Sequence, residues 1–479
     1  MQAEPPAFLS VRRLPASDRS HMTLATMSRY DEARAEPIGD RAVVVGGSMA
    51  GLCAARGLRD AVEEVVILER DDLPHGPESR GGAPQMSHPH AMLEAGRATL
   101  EDLLPGFSDG VLAAGGLELD MTRDIAWYDR GGIVAEAATP LSALYASRPL
   151  FEHVVRERVR DIPGIRFREG CHFIDYQHDP ASNRVTGVRF RDEEGTETAL
   201  DATLTVDATG RTSRTPAWLE RHGYPSPDVD RVTVDVTYST VRITRPPDAQ
   251  RGVLIAPEPH RPRGAAMLPV EGDRWEVLLQ GLHGERAPID RQSFLDWADT
   301  LPLDDIATQL RDQEWLSEVQ RYPFPASVRR HYDDLARFPD GLVVTGDAVA
   351  SFNPVYGQGM SVAALDALAL HHELPKGIDG LGPRMFERVD DIVHEAWRTA
   401  VGNDFTFEQT TGPKPFATDL LNRYAGRLVA RAHNDGMLTE AFLRVFRLER
   451  PARSLLYPRI LWRVLSPRLG IARRETPTL

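Results

Sequence analysis

Apolar and polar positions along the chain form strand-sized and helix-sized patterns. Residues 41–45, an arginine followed by four apolar residues, predict a fully buried strand, and an apolar run at 65–68 follows a helical pattern. A third run at 341–345 is rich in β-branched residues and precedes a helical pattern rich in Ala and Leu. Unbroken apolar strands that alternate with helices are typical of a parallel sheet with helices on both faces. We therefore predict an α/β fold built on a parallel sheet.

Strand patterns of a second kind interrupt this arrangement. Segments at 232–241, 264–269 and 275–282 have strand character and predict an inserted mixed or antiparallel sheet. Residues after 383 have helical character. We expect a disordered extension at 1–38, a discontinuous Rossmann-like domain at 39–90, 148–215 and 335–383, a substrate domain at 91–147 and 216–334, and a C-terminal helical region at 384–479.

Composition narrows the classes of function. The net charge of −14 argues against nucleic acid as a partner, because no wide face would neutralise phosphates. The two cysteines, Cys53 and Cys171, imply no disulfide framework and fit a reducing compartment. Residues 1–38 are polar and lack the apolar core of a secretory signal, and no segment has the roughly 18 apolar residues of a membrane span. We expect a cytoplasmic protein.

A glycine-rich turn joins the first predicted strand to the first predicted helix. The next strand ends in Glu69, so the order is strand, turn, helix, strand and acid. In a dinucleotide site of this order, backbone amides hold the pyrophosphate and the acid accepts hydrogen bonds from ribose hydroxyls. Ser48 stands at the second glycine position, where its Cβ crowds the approach but its hydroxyl can donate to phosphate. The turn supplies the candidate binding residues Gly46, Ser48, Met49, Ala50 and Gly51.

The segment 346–361 supplies the other half of the candidate site. Asp347 directly follows the third apolar run, and a loop with Pro354 and Gly357 leads to a helix that opens with Gly359 and Met360. This layout places a carboxylate near the positive end of a helix dipole. Such a pair suits a ligand with sugar hydroxyls and an electron-rich ring that gains negative charge on reduction. A flavin fits this description better than a nicotinamide.

Six motifs occur in an order that resembles one protein family. They are GGSMAGL at 46–52, ERD at 69–71, RGGAPQ with HPH at 80–90, SRPLFEHVVRERV at 147–159, DATGR at 207–211, and GDAVASFNPVYGQGMS at 346–361. Together they resemble the FAD-dependent monooxygenases of the para-hydroxybenzoate hydroxylase type. Within that family the chain is most similar to a bacterial branch of hydroxylases and polyether epoxidases. The resemblance covers roughly residues 40–375.

The resemblance implies FAD as the cofactor and a role for each motif. The turn from Gly46 to Gly51 would hold the pyrophosphate of FAD, and Glu69, with Arg70 beside it, would lie at the adenosine ribose. Arg148 matches an arginine that contacts the cofactor in this family, although a surface position at a helix start is the alternative.

The last motif is assigned in the same way. Asp347 would bind the ribityl chain, and the stretch from Pro354 through Gly357 and Gly359 to Met360 would flank the pyrimidine edge of the flavin. There the helix N-terminus would stabilise an anionic reduced flavin.

Three positions depart from the family pattern. Thr209 stands where the middle motif usually has an aspartate, and Asp207 lies two residues earlier. Ser361 replaces an asparagine, and Ala350 replaces a histidine. The resemblance implies that the missing aspartate is tied to both FAD and nicotinamide docking, so the electron donor stays open between NAD(P)H and a separate flavin reductase.

The resemblance also implies the chemistry, in which a flavin C4a-(hydro)peroxide transfers oxygen from molecular oxygen. The protein must hold an apolar small-molecule substrate beside the flavin and keep water out. We expect Trp275, Tyr238 and Phe352 to line the pocket. His88 and His90 lie in a loop near the flavin, where a structural role is favoured over catalysis. They lack a third ligand, so we predict no metal.

Three other functions are compatible with a flavin-binding fold: a halogenase, a prenyl or double-bond reductase, and a non-catalytic flavin-binding protein. A flavin-dependent halogenase needs a lysine well before the GD motif, but no lysine precedes Lys376. A prenyl or double-bond reductase also has a DATG-like motif, and a non-catalytic flavin-binding protein is the other alternative.

Residues 455–465 are apolar with interspersed arginines. We favour a helix that packs on the FAD domain over contact with a membrane surface.

Overall fold

The computed structural model describes residues 22–467. Its strands are β1 (Gly39–Val45), β2 (Val62–Leu68), β3 (Pro89–Met92), β4 (Leu117–Asp120), β5 (Ile125–Asp129), β6 (Gly132–Ile133), β7 (Ser142–Ser147), β8 (Ile165–Arg168), β9 (His172–Asp179), β10 (Arg184–Arg191), β11 (Glu197–Asp201), β12 (Leu204–Asp207), β13 (Val229–Thr244), β14 (Gly252–Ile255), β15 (Arg263–Val270), β16 (Arg274–Gly281), β17 (Gln320–Arg330), β18 (Leu342–Val344) and β19 (Ala350–Ser351).

The helices of the described residues divide between the two sheet layers and the C-terminal region. They are α1 (Met49–Arg59), α2 (Glu94–Leu103), α3 (Phe107–Ala113), α4 (Arg148–Arg160), α5 (Thr215–Arg221), α6 (Arg291–Ala298), α7 (Asp305–Asp312), α8 (Gly359–Glu373), α9 (Leu381–Asp404), α10 (Thr418–Ala432), α11 (Gly436–Phe446) and α12 (Pro458–Leu465).

A five-stranded parallel sheet forms the first layer, in the order β18-β12-β1-β2-β8. The central β1 pairs with β2 on one side and β12 on the other, and α1 and α8 pack together beside it. All three apolar runs of the sequence analysis become buried strands of this sheet, because each is apolar on both faces. The predicted α/β fold with a Rossmann-like domain is confirmed. The carboxyl ends of β1, β12 and β18 meet at one edge of the sheet.

An eight-stranded mixed sheet forms the second layer, in the order β19-β17-β13-β16-β15-β14-β5-β6. The long β13 pairs antiparallel with both β16 and β17. All of its strands except the short β19 come from the regions expected to be inserted, which confirms the predicted mixed sheet. Two three-stranded antiparallel sheets complete the strands, β3-β7-β4 beside the large sheet and β9-β10-β11 after β8. The exact domain boundaries stay a prediction.

The two faces of the eight-stranded sheet carry different residues. On β16, Trp275, Val277 and Leu279 belong to a core that α6 and α7 cover, whereas Leu278 and Gln280 face the opposite way. Successive side chains of a strand alternate between faces. The prediction that Trp275 lines the substrate pocket is therefore wrong, because its position has the parity of the α6–α7 face.

Residues 22–38, which we call the N-terminal strap, are packed rather than disordered. Met22 and Met27 are buried in the main core, and the backbone N–H of Leu24 donates to the carbonyl of Leu448 at 3.1 Å. The expectation of a disordered extension is wrong for these residues, because two methionines among polar residues suffice to anchor a short segment. The rest of that extension, residues 1–21, lies outside the described residues.

The C-terminal region is helical as predicted, from α9 onward. The helix α12 packs against α10 and α11, through Val464 and Ile460. It therefore does not pack on the parallel-sheet layer, as the favoured interpretation of 455–465 expected. Residues 468–479 of this region lie outside the described residues. Across residues 22–467, every helix is too short or too polar to cross a bilayer.

Candidate functional site

One large cavity, of about 1510 Å³, lies where the carboxyl edge of the parallel sheet faces the inner side of the eight-stranded sheet. The C-terminal helices α9, α10 and α11 contribute a third wall. Twelve of the thirteen predicted cofactor-binding residues line this cavity: Gly46, Ser48, Met49, Ala50, Glu69, Arg70, Arg148, Asp347, Pro354, Gly357, Gly359 and Met360. Segments some 300 residues apart in the sequence thus come together at one site.

The thirteenth residue, Gly51, lies in the first turn of α1 and packs against the backbone of Gly46. A Cβ at Gly51 would lie 1.8 Å from the carbonyl oxygen of Gly46, so no other residue fits while the turn keeps its shape. Gly46 itself has a φ of +108°, and a Cβ there would meet the Ala208 carbonyl oxygen at 2.6 Å. These two glycines let α1 follow β1 after only three intervening residues, so that its first residues border the cavity.

Glu69 directly follows the neighbouring strand β2, and its carboxylate is hydrogen-bonded to the glycine turn. Its carboxylate accepts hydrogen bonds from the backbone N–H groups of Gly47 at 2.8 Å and Arg70 at 2.8 Å. It also forms an ion pair with Arg80, whose Nη1 lies 3.2 Å away. The side chain of Glu69 is buried at the end of β2 but borders the cavity. A ligand that reaches this acid would meet a fixed carboxylate.

A buried ionic cluster lies under the cavity floor near Ser48. Glu152 is fully buried and accepts hydrogen bonds from Ser48 Oγ at 2.6 Å, Arg148 Nη2 at 3.0 Å and Arg80 Nε at 3.0 Å. Burial alone raises the pKa of Glu152, but the charges of Arg148 and Arg80 outweigh this and lower its pKa below the ordinary value. The carboxylate therefore stays ionised and holds both arginines in place.

Arg148 is only 3% exposed, which rules out the alternative of a surface residue at a helix start. Its Nη1 is buried and has no hydrogen-bond partner among the described residues. A buried guanidinium nitrogen without an acceptor is costly, and an anionic group at the cavity floor would satisfy it. This orphaned donor fits the pyrophosphate of a dinucleotide.

Asp347 lies in a short 3-10 turn, Gly346–Ala348, at the end of β18. Its carboxylate is exposed to the cavity yet surrounded by protein, and burial raises its pKa against the opposing charges of Arg211 and Arg148. The fully buried Asp366 of α8 fixes this turn, because it accepts a hydrogen bond from the Gly346 N–H at 3.1 Å. A polar side chain is thus aimed at the cavity from a rigid turn.

The N-terminus of α8 borders the same part of the cavity. Gly357 has a φ of +61°, which lets the loop turn into the helix, and Gly359 begins the helix. A Cβ at Gly359 would meet no atom within 4 Å, so open space lies directly against the backbone there. This open cradle at a helix N-terminus, together with the orphaned nitrogen of Arg148, shows that the residues present fit a bound flavin dinucleotide.

The three departures from the family pattern have different surroundings. Thr209 lines the cavity, but it donates its hydroxyl to Asp207 Oδ1 at 2.6 Å. Asp207 is buried and also accepts from Ser213 and Thr215, so it lies outside the cavity lining and does not replace the missing aspartate. Ser361 and Ala350 are both buried, and both lie outside the cavity lining.

His88, just before β3, and His90, within β3, both lie on the cavity wall. His88 Nδ1 lies 2.7 Å from Thr240 Oγ1, and His90 Nδ1 lies 2.7 Å from the His88 carbonyl oxygen. Burial lowers the pKa of His88 to about 4 and that of His90 to about 3, so both rings are neutral near pH 7. The predicted pocket residues Tyr238 and Phe352 also line the cavity.

The wall opposite the glycine turn contains a hydrogen-bond network. Asp404, at the end of α9, accepts from Asn353 Nδ2 and from the Tyr356 hydroxyl, each at 3.0 Å. Asn353 in turn accepts from the Tyr238 hydroxyl at 2.8 Å, and Asn403 donates to Tyr356 at 3.0 Å. Burial raises the pKa of Asp404 to about 7. This network can therefore hold or release a proton near neutral pH.

Several of these residues could not be assigned from the sequence. Glu152 and Arg80 lie 72 residues apart, and only the folded chain brings them to one cluster. The RGG motif around Arg80 stands out in the sequence, but the sequence alone assigns no role to this arginine. Asp404 and the helices after it have no motif, so the third wall of the cavity could not be predicted from the sequence.

Comparisons with known proteins identify the family of the chain. Residues 41–386 match the model of a family described as FAD binding domain. Protein Rv3254 of Mycobacterium tuberculosis is 32% identical over 431 residues, which cover 85% of this chain and 90% of that protein.

Two solved structures share the fold. The p-nitrophenol 4-monooxygenase PnpA of Pseudomonas putida DLL-E4 superposes with a TM-score of 0.59 at 18% identity, over 87% of this chain and 100% of that one. The flavin-dependent brominase Bmp2 superposes with a TM-score of 0.57 at 14% identity, over 86% and 94%.

The family match spans most of the chain, and its residues include the glycine turn, Arg148 and Asp347. The match does not extend to the finer assignment of a hydroxylase or epoxidase branch. The chain belongs to the FAD binding domain family, and thereby to the flavoprotein monooxygenase superfamily of FAD-dependent oxidoreductases.

Proposed function

We propose that the protein is a monooxygenase that hydroxylates or epoxidises a largely apolar small molecule. The observation that carries this proposal is the continuity of one cavity from the polar cofactor residues to an apolar chamber. The chamber lies between the eight-stranded sheet and the C-terminal helices, and its apolar lining includes Leu254, Ala266, Leu268, Leu278, Leu428 and Phe442. Such a chamber suits a substrate with few polar groups.

In this proposal the cofactor residues hold FAD along the edge of the parallel sheet. The amides of the turn from Gly46 to Gly51 and the Arg148 guanidinium bind the pyrophosphate, and Glu69 with Arg70 binds the adenosine ribose. Asp347 binds the ribityl chain. The stretch with Pro354, Gly357, Gly359 and Met360 lies at the pyrimidine edge, where the N-terminus of α8 favours negative charge.

Bound FAD would supply the activation of molecular oxygen and the transfer of one oxygen atom to the substrate. The chain itself orients the substrate and excludes water. The neutral His88 and the hydroxyl of Tyr238 border the chamber and can hydrogen-bond a polar group of the substrate. Asp404, which accepts hydrogen bonds from Tyr356 and Asn353, can hold one proton.

For the electron donor we favour a separate flavin reductase over direct use of NADH or NADPH. Thr209 replaces the aspartate associated with nicotinamide docking, and the neighbouring Asp207 is already engaged by three hydroxyl donors. A donor that hands over reduced flavin or electrons without docking a nicotinamide avoids this requirement. For the location we favour the cytoplasm, on the two free cysteines Cys53 and Cys171.

The purified protein provides the test. We expect a yellow protein with bound FAD, slow bleaching by NADH or NADPH alone, and rapid bleaching when a flavin reductase is added. Oxygen uptake should then rise when an apolar substrate from a compound panel is present. A colourless protein that takes up no added FAD would contradict the proposal.

The alternatives give different results in the same assay. A prenyl or double-bond reductase would reduce its substrate without oxygen, and a non-catalytic flavin protein would show no substrate-dependent turnover. A halogenase would need halide and a tunnel lysine, but the sequence has none before Lys376. These outcomes separate the proposed monooxygenase from each alternative.

A further inference from the structure

The outer face of the C-terminal region exposes an unusual number of large apolar side chains. Eleven large hydrophobic residues are exposed among residues 22–467, and six of them lie between 416 and 465. Phe416 is 97% exposed and Trp462 is 69% exposed. We call this group the C-terminal apolar face, and it consists of Phe416, Leu420, Leu456, Tyr457, Trp462 and Leu465.

Hydrogen bonds join the elements that carry this face into one surface. Arg427 of α10 donates to the carbonyl oxygen of Leu465 in α12 at 3.2 Å, and the Tyr424 hydroxyl donates to the Leu455 carbonyl at 2.6 Å. The inner side of α12 packs through Val464, which is fully buried. Trp462 and Leu465 therefore point outward because the helix is anchored on its other side, rather than because it is detached.

Basic side chains surround the apolar face although the chain as a whole is acidic, with a net charge of −14. Arg423, Arg427, Arg453 and Arg459 are exposed there. The exposed Asp419 is paired with Lys414 at 2.5 Å. Residues 414–467 contain four acidic side chains, Asp419, Asp435, Glu440 and Glu449, against ten basic ones, Lys414, Arg423, Arg427, Arg431, Arg444, Arg447, Arg450, Arg453, Arg459 and Arg463.

The same elements form the third wall of the cavity. On the inner side of α10, Leu421, Ala425 and Leu428 line the chamber. Arg453 and Leu456 are both exposed at the surface and part of the cavity lining. The apolar face therefore borders an opening of the chamber, at the segment before α12.

We propose that the C-terminal apolar face docks on the surface of an anionic phospholipid bilayer, with the opening at Leu456 turned toward the lipid. Exposed Trp, Tyr, Phe and Leu next to arginines match the interfacial region, where apolar side chains enter below headgroups and cations pair with anionic lipids. The attachment is peripheral. It goes beyond the proposed function, since binding to lipid needs neither FAD nor turnover.

Flotation of the full chain with lipid vesicles tests this docking. We expect the protein to float with vesicles of phosphatidylcholine containing about one third phosphatidylserine, and to bind them less well at about 0.5 M NaCl or without phosphatidylserine. A chain that stays in the bottom fraction with both kinds of vesicle overturns the proposal, whether or not the protein is yellow.

Substitutions locate the contact. Tyr457→Ser with Trp462→Ser should lower the partition coefficient by about tenfold, and Arg423→Gln with Arg459→Gln should lower it by about fivefold for each arginine. Ile289→Ser and Arg166→Gln remove an exposed isoleucine and an exposed arginine on other surfaces, and they should bind like the native chain. Equal binding by the Trp462 variant and the Ile289 variant overturns the proposal.

A second copy of the chain is the competing occupant. Gel filtration without lipid separates the two, because docking on lipid predicts the same elution volume for the native chain and the Tyr457→Ser, Trp462→Ser variant. A native dimer that this variant converts to a monomer overturns the proposal and assigns the face to self-association. Unchanged circular dichroism of each variant verifies that it folds.

Discussion

Two glycines at the candidate site have opposite reasons for being glycine. Gly51 has no room for a Cβ, because the carbonyl oxygen of Gly46 would lie 1.8 Å away. Gly359 has open space instead, since its Cβ would meet nothing within 4 Å. The first glycine is required by the fold, and the second is explained by a ligand that fills the space.

The pair gives a matched prediction for alanine substitution. Gly359→Ala should keep the free energy of unfolding within about 1 kcal/mol of the native value, because Ala favours a helix, but it should weaken FAD binding at least about tenfold. Gly51→Ala should fail to fold or lose several kcal/mol. Urea unfolding and FAD titration of flavin-free protein measure both effects. Native-like FAD affinity in Gly359→Ala would show that the cofactor lies elsewhere.

Asp404 makes the stability of the protein depend on pH. Its pKa is raised to about 7 in the folded state, against about 3.9 in an unfolded chain. The folded state therefore binds the proton more tightly. The stability that this proton contributes is complete below about pH 4 and is lost as the pH rises through 7.

Asp404→Asn should remove this dependence, because the neutral amide still accepts from Tyr356 and Asn353 through one oxygen. Between about pH 5 and pH 8, the stability difference should move in favour of the variant by about 2–3 kcal/mol. Urea unfolding at the two pH values measures it, and Asp419→Asn, at an exposed ion pair, is the control. A difference that is independent of pH would mean that Asp404 stays ionised.

At the scale of single elements, the sequence was most informative where both faces of a strand are buried. The parallel strands β1, β2 and β18 were predicted because each contains an unbroken apolar run. The strand β17 was missed, since its sequence QRYPFPASVRR alternates weakly and contains two prolines. Pro323 pairs with β13 on one side, but β19 leaves the other side of β17 open there, and a strand with an open edge is where a sheet tolerates proline.

The two faces of β16 provide a prediction for neighbouring residues. Leu279 is fully buried under α6 and α7, whereas Leu278 lines the cavity. Leu279→Ala should cost about 2–5 kcal/mol of stability and leave the chamber intact. Leu278→Ala should cost about 1 kcal/mol, since it borders an existing space, and should change the affinity for an apolar dye such as Nile red. Equal dye affinities in both variants would contradict this division of the sheet.

At the scale of the whole molecule, the N-terminal strap links the two ends of the described chain. It buries Met22 and Met27, pairs Arg29 with Asp102, and bonds to Leu448 through the backbone. The composition of the strap did not predict that it packs on the folded chain, because a polar segment with few apolar residues resembles a disordered tail. The sheets follow from local patterns, whereas a contact between chain ends depends on the complete fold.

Removal of residues 1–38 should therefore destabilise the protein. Burial of two methionines contributes about 3–6 kcal/mol, so we expect a loss of that order in urea unfolding. Arg29→Gln in the full chain breaks only a partly exposed ion pair and should cost less than about 1 kcal/mol. A shortened chain as stable as the native one would show that the strap adds nothing to the fold.

The strap also has a consequence for synthesis on the ribosome. Its residues leave the ribosome long before the backbone groups of Leu448 and Glu449 that pair with it are made. Until then the newly made chain carries Met22 and Met27 without their complete binding surface. Proteases and chaperones can therefore reach the strap in chains that have not been made through Glu449, and its protection from cleavage reports that this part of the chain has been made and has folded.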